Sequence, residues 1–138
     1  MALVVAALWE GGMAGKLERV CVFGPGPDSP ELPIVEGEGS ARAIVWPGVG
    51  AKFRSMHRIS LGAGARTAEL RHPMEAVYYI MAGGGSVRDG AVAGAAALTE
   101  GSMIFVEPGT RYAIEAGAEG IEVLGGPCPP DPALYADL

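Results

Sequence analysis

Residues 64–83 read GARTAELRHPMEAVYYIMAG, and the fold of the chain turns on how that stretch is parsed. It opens on a glycine turn, continues as a strand carrying His72, corners at Pro73-Met74 and runs into a second strand that ends in glycines. Val77, Tyr78, Tyr79 and Ile80 are the β-branched and aromatic types that suit a pleated, half-buried surface. Gly83-Gly84-Gly85 are expected to break that strand, because glycine accepts the positive φ of a tight reversal.

Working outward, the same grammar of short strands and turns repeats. Phe53 to Leu61 alternates with a period of two: Phe53, Ser55, His57, Ile59 and Leu61 share one face, and Arg54, Met56, Arg58 and Ser60 share the other. The first face is the more apolar and is expected inside. Leu17 to Phe23 and Ser40 to Trp46 read as strands, while Gly24 to Pro33 reads as loop, since its prolines cannot donate to a ladder. Beyond the central stretch, Ser86 to Arg88 leads to Asp89-Gly90, a pair suited to a type I′ hairpin turn, and Ala91 to Leu98 returns. Met103 to Val106, Arg111 to Glu115 and Ile121 to Leu124 complete nine or ten expected strands. The ending GGPCPPDPALYADL is too rich in proline for regular structure until its final residues. An all-β, closed or nearly closed antiparallel sandwich follows from this pattern.

Composition narrows the function classes. A chain of 138 residues holds one domain, and 49% hydrophobic against 19% charged residues fits a packed globule. A net charge of −6, with no basic stripe, argues against nucleic acid and anionic membrane as partners. The opening MALVVAALW lacks a basic n-region and is too short to cross a bilayer, so the expected location is the cytoplasm. Cys21 and Cys128 suggest neither a disulfide framework nor a zinc site.

The stretch around His72 also resembles the first motif of the cupin superfamily: Gly, five residues, His-x-His, three or four residues, Glu, six residues, Gly. Gly64, His72 and Gly83 fall on it, while Leu70 and Ala76 stand where the first His and the Glu would be. Residues 101–116, GSMIFVEPGTRYAIEA, follow the spacing of the second motif, with Gly101 and Gly109 matching. There Glu107 replaces the proline, Tyr112 the His and Ala116 the Asn. The resemblance covers about residues 40–125 and implies a single-domain jelly-roll barrel. It leaves an N-terminal arm over 1–23 and a proline-rich tail over 125–138. Many relatives dimerise, often through an N-terminal strand, so a homodimer is expected and Leu3 to Trp9 would suit the exchange.

What the resemblance implies for chemistry is thinner. The four metal-holding positions carry Leu70, His72, Ala76 and Tyr112, short of the three ligands a catalytic zinc or a non-haem iron needs. Glu75 is one residue early and, in a strand, faces the other way. No metal or other cofactor is expected. A rearranged site using His57, His72, Glu75 and Tyr112 in a metal-dependent oxygenase or isomerase is the minority reading. The main one is a metal-independent barrel that binds a small organic molecule. Any catalysis would be acid–base, of isomerase, epimerase, cyclase or lyase type in bacterial secondary or sugar metabolism. His72 would be the acid or base and Tyr112 the proton donor. Tyr78, His57, Trp46, Phe53, Leu70 and Phe105 would line the ligand. Against this stands a binding or sensing module without turnover, in which His72 is a hydrogen-bonded core imidazole and the tyrosines fill space.

Overall fold

A computed structural model describes residues 13–24, 26 and 29–138; the arm segment Leu3 to Trp9 lies outside the described residues. The molecule is built on one long antiparallel ribbon. Alternation of apolar and polar residues runs along both of its strands, so each lays one face on the core.

In chain order the strands are β1 (Met13–Lys16), β2 (Cys21–Phe23), β3 (Val35–Glu36), β4 (Gly39–Val45), β5 (Met56–Leu61) and β6 (Arg66–Thr67). They continue with β7 (Glu75–Asp89), β8 (Ala95–Leu98), β9 (Met103–Val106) and β10 (Tyr112–Cys128). The ribbon is β7 against β10. On its β10 side, β5 and then β4 flank one half, and β6 and then β3 flank the other. On its β7 side, β8 and β9 pair one after the other along the strand. The segment before β3 lies over β4, where Leu32 N–H donates to the Ala41 carbonyl at 2.7 Å and Ala43 N–H to Pro30 at 2.9 Å. The result is a nearly closed jelly-roll barrel, with β1 and β2 as a separate two-stranded ribbon. Among the described residues no helix is long and apolar enough to cross a membrane.

The glycine triplet does not end a strand. β7 passes straight through it as a bend, with Ala116 opposite Gly85 and Ile121 opposite Gly83, so residues 117–120 form a bulge in β10. Gly83 has φ +76°, and a Cβ there would lie 2.2 Å from the Gly120 carbonyl oxygen, which reserves the position for glycine. The bulge also inverts the parity of β10. Tyr112, Ile114 and Ala116 face inward before it, and Ile121 and Val123 after it. Two expected strands, Arg111 to Glu115 and Ile121 to Leu124, are therefore one.

Other boundaries shift for local reasons. Only Cys21–Phe23 of the expected Leu17 to Phe23 strand forms, because Leu17 N–H turns back to the Val20 carbonyl at 2.8 Å. Asp89-Gly90 is not a two-residue type I′ turn: Arg88 pairs with Ala95, and the wider connection opens with Asp89 Oδ1 accepting from Ala91 N–H at 2.8 Å. The tail over 125–138, expected to be irregular, continues β10 to Cys128 and then forms a short 3-10 helix at Pro132–Tyr135.

Candidate functional site: a buried relay under the C-terminal tail

Three backbone hydrogen bonds clamp the corner that carries His72 to the start of β10. Leu70 and Tyr112 exchange N–H···O bonds at 2.8 and 2.9 Å, and Gly109 N–H donates to the His72 carbonyl at 2.7 Å. This places the side chains of His72 and Tyr112 together inside the barrel, their ring centroids 5.6 Å apart and nearly edge-on. Tyr78 reaches the same spot from β7, where it pairs with Gly125 of β10. That glycine, at φ +153°, makes room: a Cβ would fall 2.1 Å from the Val77 carbonyl and 2.9 Å from the Tyr78 ring.

The four polar groups form one chain of hydrogen bonds. Asp131 Oδ2 lies 2.7 Å from His72 Nδ1, His72 Nε2 is 2.8 Å from the Tyr112 hydroxyl, and that hydroxyl is 2.6 Å from the Tyr78 hydroxyl. All four residues are 5% exposed or less, so water does not complete the network. Donors and acceptors then fix its direction. The Asp131 carboxylate can only accept, so His72 Nδ1 carries a proton and donates it. With a neutral imidazole, Nε2 accepts from Tyr112 O–H, and Tyr112 in turn accepts from Tyr78 O–H. Every proton has a partner in that arrangement. The reverse direction would strand the Tyr78 O–H, for which no other acceptor is in reach among the described residues.

The phenols hold their protons firmly. Burial pushes Tyr78 well above the ordinary phenol range. Burial, then the neighbouring Tyr78 phenol, do the same to Tyr112. His57 sits close by on β5 and is fully buried. Desolvation, helped by the nearby His72, lowers it to about 4, so it is neutral at pH 7. Its Nε2 is 2.6 Å from the Tyr135 hydroxyl, whose ring packs on Trp46 with centroids 5.2 Å apart. Burial raises Tyr135 to about 12.

Asp131 and Tyr135 both belong to the tail, which thus ends on both histidines of the chain. Asp131 caps the short 3-10 helix, its Oδ1 accepting from Ala133 N–H at 3.1 Å. Leu134 packs on the core beside it. The sequence offers a weak cue to these residues: a capping Asp before a proline, followed by Leu and Tyr one turn later. Its partners are not visible there.

The expected lining residues divide sharply. His72, Tyr112, Tyr78, His57 and Leu70 are buried inside the barrel, and half-buried Trp46 joins them through Tyr135. Phe53 does not: it precedes β5, outside the alternating strand, and is 76% exposed. Phe105 is 60% exposed, because in β9 Ile104 and Val106 take the inward phase and Phe105 faces out beside Val77. Two surface hollows, about 500 and 370 Å³, adjoin the β7–β8 connection; Tyr112 borders both and Phe105 the smaller, but His57, His72 and Tyr78 line neither.

The described residues around His72 do not fit a metal. Leu70 and Ala76 bring no lone pair, both nitrogens of His72 are engaged, and Glu75 is exposed on the outer face. His57 Nε2 is held by Tyr135, and among the described residues no group of three or more His, Cys, Asp or Glu gathers.

No protein-family model matches the sequence, nor does any curated protein. Solved structures do share the fold. An RmlC-like cupin from Shewanella frigidimarina superposes with TM-score 0.62 at 19% identity, over 78% of this chain and 90% of its own. A cupin-like protein from Thermotoga maritima gives 0.64 at 18% identity, over 77% and 79% of the two chains. A predicted oxalate decarboxylase from the same organism gives 0.60 at 23%, over 70% and 84%.

Proposed function

We propose that this chain, a cupin by fold, binds a small organic molecule in its barrel and that His72 exchanges a proton with it. The buried relay Asp131–His72–Tyr112–Tyr78 is the observation that carries this reading. At rest it holds one imidazole in a single tautomer, with the proton on Nδ1 at the tail side of the barrel. In the transfer the imidazole keeps a proton on Nε2, donated to Tyr112, so that Nδ1 takes a proton from the ligand to form the imidazolium and then returns it. Imidazole is the side chain whose charge changes nearest neutrality, which suits it to acid–base work. The tyrosines play a different part from the acid first expected of Tyr112. With its O–H committed to Nε2 and its phenol shifted upward, Tyr112 is a positioning residue that fixes the tautomer, and Tyr78 holds Tyr112. The reaction class is proton transfer, as in an isomerase, epimerase, cyclase or lyase. The chemistry needs no metal, consistent with a site whose residues do not fit one.

The test uses the full chain. Native mass spectrometry of the purified protein identifies a retained molecule, which is then incubated with the protein in deuterium oxide. Transfer between His72 and a carbon of the molecule leaves solvent deuterium on that carbon once the imidazole proton has exchanged with solvent. His72→Ala abolishes that exchange, and Tyr112→Phe slows it while moving the ¹⁵N shifts of His72 toward a mixture of tautomers. Exchange undiminished in both variants would overturn the assignment. Binding without any exchange would instead support the second reading, a module that binds without turnover. The tightly held phenolic protons of Tyr78 and Tyr112 are the observation in favour of that reading.

A further inference from the structure

The tail meets the barrel as a bound molecule would. Its backbone takes no part in the sheet beyond β10. Among the described residues, the backbone N–H groups of Leu134 and Leu138 donate within the segment itself, to Asp131 and Tyr135. What holds it on the barrel are side chains. Asp131 puts a carboxylate on His72 Nδ1 at 2.7 Å, Tyr135 puts a phenol on His57 Nε2 at 2.6 Å and its ring on Trp46, and Leu134 packs against the core. Removing these groups would take away the partner of His72 Nδ1–H, the partner of His57 Nε2 and the ring that covers Trp46.

We infer that residues 131–138 are an internal stand-in for the ligand, and that the ligand displacing them is a one-ring hydroxylated aromatic carboxylic acid. The inference rests on the barrel-binding reading above and adds the ligand's chemistry to it. Each part of the class answers one group. The carboxylate replaces Asp131 on His72, the hydroxyl replaces Tyr135 on His57, and the ring takes the place of the Tyr135 ring on Trp46. A molecule with no acceptor at this point would leave His72 Nδ1–H buried and unpaired, and a carboxylate gives the charge-assisted bond that Asp131 gives. Because tail and ligand compete for one place, apparent affinity is reduced by the fraction of time the tail is away. Weakening the tail therefore tightens the ligand.

The experiment titrates 4-hydroxybenzoate into the full chain by calorimetry, with benzoate and phenol as single-function controls, and repeats it with Asp131→Asn and Tyr135→Phe. Both substitutions keep the side-chain shape, and unchanged circular dichroism confirms folding. Removing the carboxylate charge in Asp131→Asn, or the phenolic hydroxyl in Tyr135→Phe, weakens one tail hydrogen bond and should tighten 4-hydroxybenzoate about fivefold in each variant. Trp46→Leu should weaken it, and both controls should bind more weakly than the probe. In the unaltered chain, the bound probe should also speed release of the last residues by carboxypeptidase, followed by intact mass. Equal affinity in all chains, no binding in any, or an unchanged rate of tail release with probe bound would each overturn the inference. A retained molecule without a carboxylate, identified in the barrel by native mass spectrometry, would sink the ligand class and leave barrel binding standing. A probe whose affinity ignores His72→Ala would sink both.

Discussion

The direction assigned to the relay makes a quantitative prediction about two hydroxyl groups. Tyr112→Phe deletes one oxygen and breaks two hydrogen bonds at once, the one donated to His72 Nε2 and the one accepted from Tyr78. Both partners are at most 3% exposed, so water does not replace what is lost. Stranding a buried donor and a buried acceptor together costs about 2–4 kcal/mol. Tyr78→Phe removes only the terminal donor. Tyr112 keeps its bond to His72, and the stranded group is a single lone pair, at a cost of about 1 kcal/mol. In the double variant the Tyr78 hydroxyl that Tyr112→Phe would orphan is itself gone. The double should therefore cost no more than Tyr112→Phe alone, a coupling of about 1–2 kcal/mol. Equilibrium urea unfolding of the four chains measures all of this, provided the slopes agree. Two results would refute the reasoning. Additivity within about 0.5 kcal/mol would mean that the hydroxyls do not act on each other. A Tyr78→Phe loss as large as that of Tyr112→Phe would mean that the chain of donors runs the other way.

Two further expectations concern stability. His57 titrates near 4 in the folded chain against about 6.5 when unfolded, so between those values the unfolded chain binds the extra proton. Its contribution is full above about pH 6.5 and is lost on acidification toward pH 4, a loss of order 3 kcal/mol. His57→Gln should flatten the stability profile in that window, and an unchanged profile would contradict a neutral buried imidazole. Gly125→Ala forces a Cβ against the Val77 carbonyl and the Tyr78 ring at positive φ. It should lower the urea midpoint by the equivalent of about 2–4 kcal/mol, whereas exposed Glu75→Gln should stay within about 0.5 kcal/mol.

The sequence was most legible where one strand carries its own phase. The alternation from Ser55 to Leu61 places His57, Ile59 and Leu61 inside, as found, because polar residues between them mark the outer face. Residues 103–106, Met-Ile-Phe-Val, are apolar throughout and carry no such mark. Which of them face inward is decided by pairing Tyr78 with Ile104 and Val77 with Phe105, a long-range register. Phe53 lies outside for a related reason: the alternation in the sequence runs on past Met56, the first residue that joins the sheet. The glycine triplet read as a stop, because a bend is visible in the chain only once the partner strand, with its bulge at 117–120, is known. Least legible was the candidate site's upper half. Asp131 and Tyr135 meet His72 and His57 across 59 and 78 residues, and nothing local announces either contact.

Those two contacts have a common physical origin. A buried neutral imidazole brings one donor and one acceptor, and each needs an answer. At the positions where the cupin pattern would set further ligands beside His72, this barrel has Leu70 and Ala76, which answer nothing. Inside the strands, Tyr112 satisfies Nε2 and leaves Nδ1–H open. The carboxylate that closes it comes from beyond the last strand. The composition of that segment suits the task. Pro129, Pro130 and Pro132 fix φ around Asp131, so the unfolded tail has less freedom to lose when it docks. A stiff segment held by a few side chains and no sheet hydrogen bonds can be positioned accurately and still leave. The proline content that makes this segment look structureless in the sequence is thus what lets Asp131 and Tyr135 reach both histidines without joining the sheet.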